Sequence, residues 1–356
     1  MSKATTFRWD PTADQTYQGD GDTLKGQASS FSKASGKSFT MDAAGSTLVL
    51  QVTPPGDITT WGDGAGTAPT AINFKRGTFT YDASSAITEL WFGSLGTPET
   101  NLTIQNDARF IVAEPGPAGT LLVGSIGILN VNIQDEGVAD IGCMFFALPR
   151  DETSFVNMTL SGMAQMAVAT SQTFQISSAT INVASAPASG YSLAWTTSGT
   201  DADVAMTLDG TEANFTGEAS GLLKAPTLTL SDTRVKTADS ANIDLQSDSI
   251  RVRSGSQFIL GPGTAKMQFE SYSPKGQPFD FLNSPTGTYP EGMFEISSNG
   301  VINGGEFLIG NGNAFAAARI LKDKLIAIDG VPQERAGRVS CQLENDHYIR
   351  IRQIKP

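Results

Sequence analysis

The chain has 356 residues, of which 17% are charged, and its 36 acidic and 24 basic side chains leave a net charge of −12. That length admits one large or two medium domains, and so acidic a chain repels phosphate backbones, which excludes nucleic acid as an expected partner. With 37 Gly, and with Ser, Thr, Asn and Gln where helices carry Glu, Lys, Ala and Leu, the composition favours strands.

Residues 1–37 hold few apolar anchors beyond Phe7, Trp9, Tyr17 and Leu24, and read as an extended arm or irregular cap. The sequence opens without a charged n-region and apolar h-region, and no run approaches the ~20 apolar residues of a membrane helix. Synthesis in the cytoplasm without a Sec-type signal is therefore expected, with no transmembrane segment. From Ser38 a period of two sets in, with strands expected at Thr47 to Val52, Ala71 to Phe74, Gly77 to Tyr81 and Ile87 to Phe92.

Between Asn101 and Leu260 an alternating run, a small polar corner and a second alternating run recur, first as Leu102-Thr103-Ile104, Gln105-Asn106-Asp107 and Ala108 to Val112. Taking the apolar residue before each corner (Ile104, Ile133, Leu160, Ile176, Leu208, Leu230, Leu245), the spacing is irregular, as in a coil whose loops vary in length. Residues 38–260 are thus expected to form an all-β, irregular β-solenoid body resembling a parallel β-helix. Residues 261–292 turn to Pro, Gly and aromatics and mark a long loop or boundary.

Residues 293–356 are expected to form a small β-rich module, with short strands at Phe294 to Ile296, Val301-Ile302 and Phe307 to Ile309 between Asn-Gly turns. A helix is expected over Asn313 to Leu325, with Phe315, Ala318, Leu321 and Leu325 on one face, and a terminal hairpin from Val339–Leu343 and Tyr348–Ile354. Charge is split along the chain. One base against eleven acids gives −10 between Phe110 and Leu223, whereas eight bases against five acids give +3 from Arg319 onward. Arg350 and Arg352 share a strand face with Lys355 beyond it, so the tail is expected at the interface of a homo-oligomer, either a trimer or a filament.

Few patterns carry chemistry. A single histidine, His347, rules out a multi-His site within one chain and falls in a turn; no cofactor or metal is expected. Gly36-Lys37-Ser38 lacks the earlier glycine of a phosphate loop, since position 31 is Phe. Cys143 and Cys341 sit in apolar alternation and read as free buried thiols. The sequons at Asn101, Asn157 and Asn214 come without an export signal and read as coincidence.

Two readings of a site stay open. Glycan cleavage needs two carboxyl groups facing each other across a groove, for which Asp135, Glu136 and Asp140 with Asp151 and Glu152 are the candidates; acidic turns alone would also place them there. Sugar binding would use the aromatics beside loops, Trp61, Trp91, Tyr191 and Trp195, although packing is the simpler explanation of each.

In its strand-corner-strand texture, the 101–260 segment resembles the parallel β-helix trunks of phage tail spikes and bacterial surface adhesins. The resemblance implies an extended, rigid, often trimeric attachment protein in a virion or extracellular assembly; the polar, aromatic-bearing surface adds cell-surface carbohydrate as a candidate ligand. The alternatives are a polysaccharide-cleaving enzyme on the same scaffold and, from the Ser/Thr-rich alternation of Phe174 to Val183, an aerolysin-like pore former.

Overall fold

The computed structural model describes residues 13–19, 23–27, 36–51, 59–61, 69–82, 88–92, 99–113, 121–125, 127–142, 144–147, 155–171, 173–198, 204–274, 276–335, 337–345 and 347–355. The chain is all-β, with 57% strand and 3% helix, and its strands join one large, mostly parallel sheet. Its contacts divide it into two units, Met1–Ile181 with Pro187–Ser192, and Asn182–Ala186 with Leu193–Pro356.

In the first unit the described strands form three parallel ladders. One runs from Ser38–Gln51 through Thr70–Asp82, Thr100–Ile104 and Ile128–Ile133 to Phe155–Leu160. A second continues from the far half of Thr70–Asp82 through Arg109–Val112 and Val138–Ile141 to Gln165–Thr170. The third links Thr59–Trp61, Thr88–Phe92, Leu121–Ser125, Met144–Ala147 and the start of Phe174–Val183. Gln15–Tyr17 and Thr23–Gln27 also pair in parallel with Ser38–Gln51.

Register repeats in these ladders, so like faces like. Ile104, Ile133 and Leu160 are successive cross-strand partners, and all three are buried. On the other face Asn101, Asn130 and Asn157 form a column in which Asn130 Nδ2 donates to Asn101 Oδ1 at 2.9 Å and Asn157 Nδ2 donates to Asn130 Oδ1 at 2.9 Å. With Asn214, whose Nδ2 donates to Asn182 Oδ1 at 3.2 Å, all three sequon asparagines are ladder residues whose amides are engaged by their neighbours.

The second unit repeats the plan. Leu193–Thr197 leads through Ser220–Lys224, Asn242–Gln246 and Lys266–Glu270 to Glu306–Ile309. Ala205–Phe215 starts two ladders, one through Thr227–Ser231 to Ser249–Val252 and one through Arg234–Asp239, Gln257–Gly263 and Phe294–Ile296 to Ile326–Ile328. All three then stop. Ile326–Ile328 is covered by antiparallel Val331–Pro332, and Glu306–Ile309 by antiparallel Tyr348–Gln353, itself covered by Val339–Glu344. Ile250 N donates to the Pro278 carbonyl at 2.8 Å, which places Pro278 beside Ser249–Val252.

Inward-pointing side chains stack as the backbone does. Phe110 lies parallel to Phe74 at 5.4 Å and to Phe79 at 5.9 Å in the first unit. In the second, Phe258 stacks on Phe294 at 6.0 Å and meets Phe269 edge-on at 4.8 Å. Aromatic pairs of this geometry contribute roughly 0.5–1.5 kcal/mol beyond the area they bury.

The terminal hairpin forms as the alternation implies, Val339–Glu344 with Tyr348–Gln353. The helix forms too, over Ala314–Lys322, with the Asn313 side chain accepting from Ala316 N at 2.9 Å. Its buried face is Ala316, Ala317 and Ile320, and Phe315 is 80% exposed. The expected face was wrong because the small alanines let the helix approach strand Val339–Glu344 closely, where Cys341 Sγ meets the Ala317 carbonyl at 3.5 Å. Val301-Ile302 is not a strand either: Asn299 and Gly300 both take positive φ, and the following pair is 73% and 41% exposed.

Phe258→Ala should therefore cost about 3–5 kcal/mol in denaturant unfolding, whereas Phe315→Ala should stay within about 0.5 kcal/mol. Equal effects would contradict the helix orientation.

Candidate functional site

The corners between ladders are one device used repeatedly. In the first unit they read Gln105-Asn106-Asp107-Ala108, Gln134-Asp135-Glu136-Gly137 and Ser161-Gly162-Met163-Ala164, each closed by a bond from the fourth N–H to the first carbonyl. The second residue is left-handed each time (φ 53°, 58° and 67°), which Asn, Asp and Gly tolerate best. Asp135 Oδ2 accepts from Asn106 N at 3.3 Å, so its carboxylate ties one corner to the one before. The second unit does the same: Asp239, also left-handed, accepts from Gly217 N at 2.9 Å. A Cβ on Gly162 would lie 3.0 Å from Asp135 N, which explains the glycine.

This geometry accounts for the acids expected to be catalytic. Asp135 is a corner residue, and Glu136 is the exposed third position that Met163 occupies at the next corner. Asp140, on Val138–Ile141, stands in register between Ile111 and Ala167 with no carboxylate opposite on either side. Asp151 and Glu152 lie outside the described residues. Among the described residues no group of three or more His, Cys, Asp or Glu could hold a metal ion.

The aromatics separate as well. Trp195 is 1% exposed and belongs to the interior, so it offers no ring to a ligand. Trp91 and Tyr191 are partly exposed, and the Tyr191 carbonyl accepts from Gln165 Nε2 at 3.3 Å. Trp61 is in register with Phe92, and its side chain is outside the described part. In the tail, Arg350 is engaged by its own chain through Glu306 at 3.1 Å and Glu344 at 2.8 Å, whereas Arg352 and Lys355 are exposed.

What the sequence reading missed lies in the 261–292 segment. Residues 277–289 cross over the outward face of Ser249–Val252 and enclose a cleft of about 310 Å³, lined by Arg251 and Arg253 on one side and by Gln277, Ser284, Thr288 and Tyr289 on the other. The far wall is held from behind. Phe279 stacks on Phe281 at 5.2 Å, Tyr289 meets Phe281 at 5.3 Å, and Arg319 of the helix donates to the Ser284 carbonyl at 3.2 Å. Tyr289 Oη accepts from Asp280 N at 3.1 Å, and burial pushes its hydroxyl above the usual tyrosine range.

A second, more open hollow of about 370 Å³ lies between Glu270, Tyr272, Asn311 and His347. Here Tyr348 Oη donates to Glu270 Oε1 at 2.7 Å, which raises the tyrosine pKa, and Gln268 Nε2 donates to the same oxygen. His347 is an exposed turn residue beside the Tyr348 ring.

Comparison with family models, with curated proteins and with solved structures finds no match to the chain. Among the described residues, no helix is long and apolar enough to cross a membrane.

Two outcomes follow from this geometry. Asp135→Gly should cost less than about 1 kcal/mol while Asp135→Val costs about 1–3 kcal/mol, because only the second forces a β-branched residue into a left-handed corner; the reverse order in thermal unfolding would dismiss the corner role. Burial pushes the Cys341 thiol up to about 12, so in a Cys143→Ser protein its alkylation near pH 8 should be far slower folded than unfolded. Equal rates would contradict that burial.

Proposed function

We propose that this protein is a structural attachment component: an irregular β-solenoid body with a capped C-terminal β module, self-associating and presenting a polar surface to glycans. The observation that carries the reading is the succession of in-register parallel ladders, three in each unit among the described residues. A scaffold of this kind is stiff because every strand is hydrogen-bonded on both sides, and its outward positions are free to vary without disturbing the ladder.

The closed ladder ends support lateral association over head-to-tail stacking. An open strand edge would template a further copy, but Tyr348–Gln353 and Val339–Glu344 already cover Glu306–Ile309. With Arg350 engaged internally, the cations left for a neighbour's acidic corners are Arg352 and Lys355. A closed homo-oligomer, a trimer in the simplest case, places this face of one copy against residues such as Glu136 and Glu218 of another.

Negative-stain micrographs should show elongated particles, and light scattering at low salt should give an oligomer that an Arg352→Glu/Lys355→Glu protein does not form. Compact round particles would remove the solenoid reading. An oligomer unchanged by the double substitution, or a wild-type monomer, would remove the interface.

A further inference from the structure

We infer that the cleft between Ser249–Val252 and residues 277–289 binds an acidic saccharide, one or two sugar rings bearing a carboxylate or sulfate that Arg251 and Arg253 hold together. This names the ligand class for the glycan contact proposed above and rests on that reading.

The argument begins with two unpaired cations. Arg251, on the strand, and Arg253, just past its end, are exposed, stand two residues apart, and their side chains have no hydrogen bond or ion pair to any described residue. Other surface cations are unpaired too, but these two are neighbours in one cleft, and acids are close at hand. Asp248 and Asp280 both line the same cleft. Their carboxylates, however, are committed to the loop: Asp248 Oδ1 accepts from Ser273 N at 2.7 Å, and Asp280 Oδ1 accepts from Asn283 N at 3.0 Å and Asn283 Nδ2 at 3.1 Å. The two acids keep their charge but are tied to loop N–H groups through one oxygen each, and neither forms an ion pair with the two arginines that share the cleft.

Guanidinium forks match carboxylate and sulfate oxygens bidentately, so an oxyanion is the complementary group. The opposite wall offers a different chemistry. Gln277, Ser284 and Thr288 carry donors and acceptors suited to hydroxyls, and the Tyr289 ring is partly exposed beside them. A polyhydroxylated ring with one anionic substituent satisfies both walls; a bare anion would use only the first. A volume of about 310 Å³ is at the small end of ligand sites, which suits one or two rings.

The wall is preformed. The Ile250–Pro278 backbone bond, the Phe279–Phe281–Tyr289 packing and Arg319 hold residues 277–289 in place without using the Arg251, Arg253, Gln277 or Thr288 side chains. Binding therefore does not require the loop to fold at the same time, and affinity is not lost to ordering it.

Calorimetry of the full chain with a galacturonic acid trisaccharide, a sulfated galactose trisaccharide, the neutral galactose trisaccharide and sodium sulfate tests the inference. At least one acidic saccharide should bind, the neutral one should bind about tenfold or more weakly, and affinity should fall with salt. Arg251→Gln/Arg253→Gln should lose about tenfold or more, and Arg251→Lys/Arg253→Lys should lie between, having charge without the fork. The two arginines support no other described residue, so both variants should keep the wild-type circular dichroism. No binding by either acidic saccharide, equal binding of the neutral one, sulfate alone matching the acidic sugars, or binding indifferent to the glutamine variant would each overturn the inference. Any of these results with elongated particles retained in micrographs would leave the solenoid reading standing, whereas compact particles would count against that reading alone.

Discussion

Everything in each unit depends on parallel hydrogen bonding held in one register from strand to strand. A parallel ladder fixes the residue opposite every residue, so each column down the sheet is a column of equivalent positions. Apolar columns fuse into the interior, as Ile104, Ile133 and Leu160 do, and polar columns become amide ladders such as Asn101, Asn130 and Asn157. The same constraint operates where the chain turns. For a corner to deliver the next strand in register it must bend at the same residue as the corner before it, and that residue takes positive φ. Asn106, Asp135 and Gly162 in one unit, and Gly217, Asp239 and Gly263 in the other, are the result. Asp is the most useful choice of the three, because its carboxylate can also satisfy the preceding corner's N–H.

A ladder so regular has no internal reason to end, and the second unit supplies reasons. Pairing changes from parallel to antiparallel at Val331–Pro332 and at Tyr348–Gln353, and the helix Ala314–Lys322 packs against the outermost strand Val339–Glu344. Asp329 and Ser298 join two of these closing turns: the Asp329 carboxylate accepts from Ser298 N at 2.7 Å and from the Ser298 hydroxyl, and the hydroxyl bond foremost holds its pKa below the usual range. Beside it Glu295 accepts from Gly330 N at 3.0 Å, and burial raises its pKa. The signs are opposite because Asp329 gains partners while keeping contact with solvent, whereas for Glu295 the loss of solvent outweighs the backbone N–H groups it accepts from. As pH falls, Asp329's contribution to stability is lost through its low folded pKa; as pH rises, the burden of charging Glu295 grows above its unfolded pKa. The turn cluster is thus most stable between the two extremes.

Much of this was legible in the sequence, and the limits of legibility have a physical cause. Alternation reports which side of a strand is buried, and it located the strands before and after the corners, the terminal hairpin and the existence of the helix. It does not report which strand lies opposite. Leu208 and Leu230 are true ladder partners, but Ile176 pairs with Ala147 and Leu245 with Leu223 and Phe269, in other ladders. The irregular spacing read along the chain therefore mixed columns that three interleaved ladders keep apart. The helix face failed for a related reason: Phe315 and Ala316 begin competing apolar stripes, and close approach to a neighbour, invisible in one sequence, selected the smaller residues. Trp195 failed as a ligand candidate because a ring next to a loop in sequence is no nearer to solvent when its strand position points inward.

The cleft was hidden by that same regularity. Arg251 and Arg253 look like any outward pair in an alternating strand, and residues 261–292, read as a boundary, look like the end of order. Their meaning comes only from being brought together. In a parallel ladder the next strand normally covers the edge but leaves the outward face bare, and a bare polar face recognises little, since its side chains are solvated and mobile. Residues 277–289 break the pattern at one strand: they supply the edge bond at Ile250 and then fold over the outward face, converting two solvated arginines into one wall of an enclosure. A ligand seated between the two walls would displace part of the water around the exposed guanidinium groups, which would strengthen each guanidinium–oxyanion contact over its value on an open face. Specific recognition on such a scaffold belongs where the repeat is interrupted, and among the described residues the Pro- and aromatic-rich segment is where that interruption covers unpaired charge.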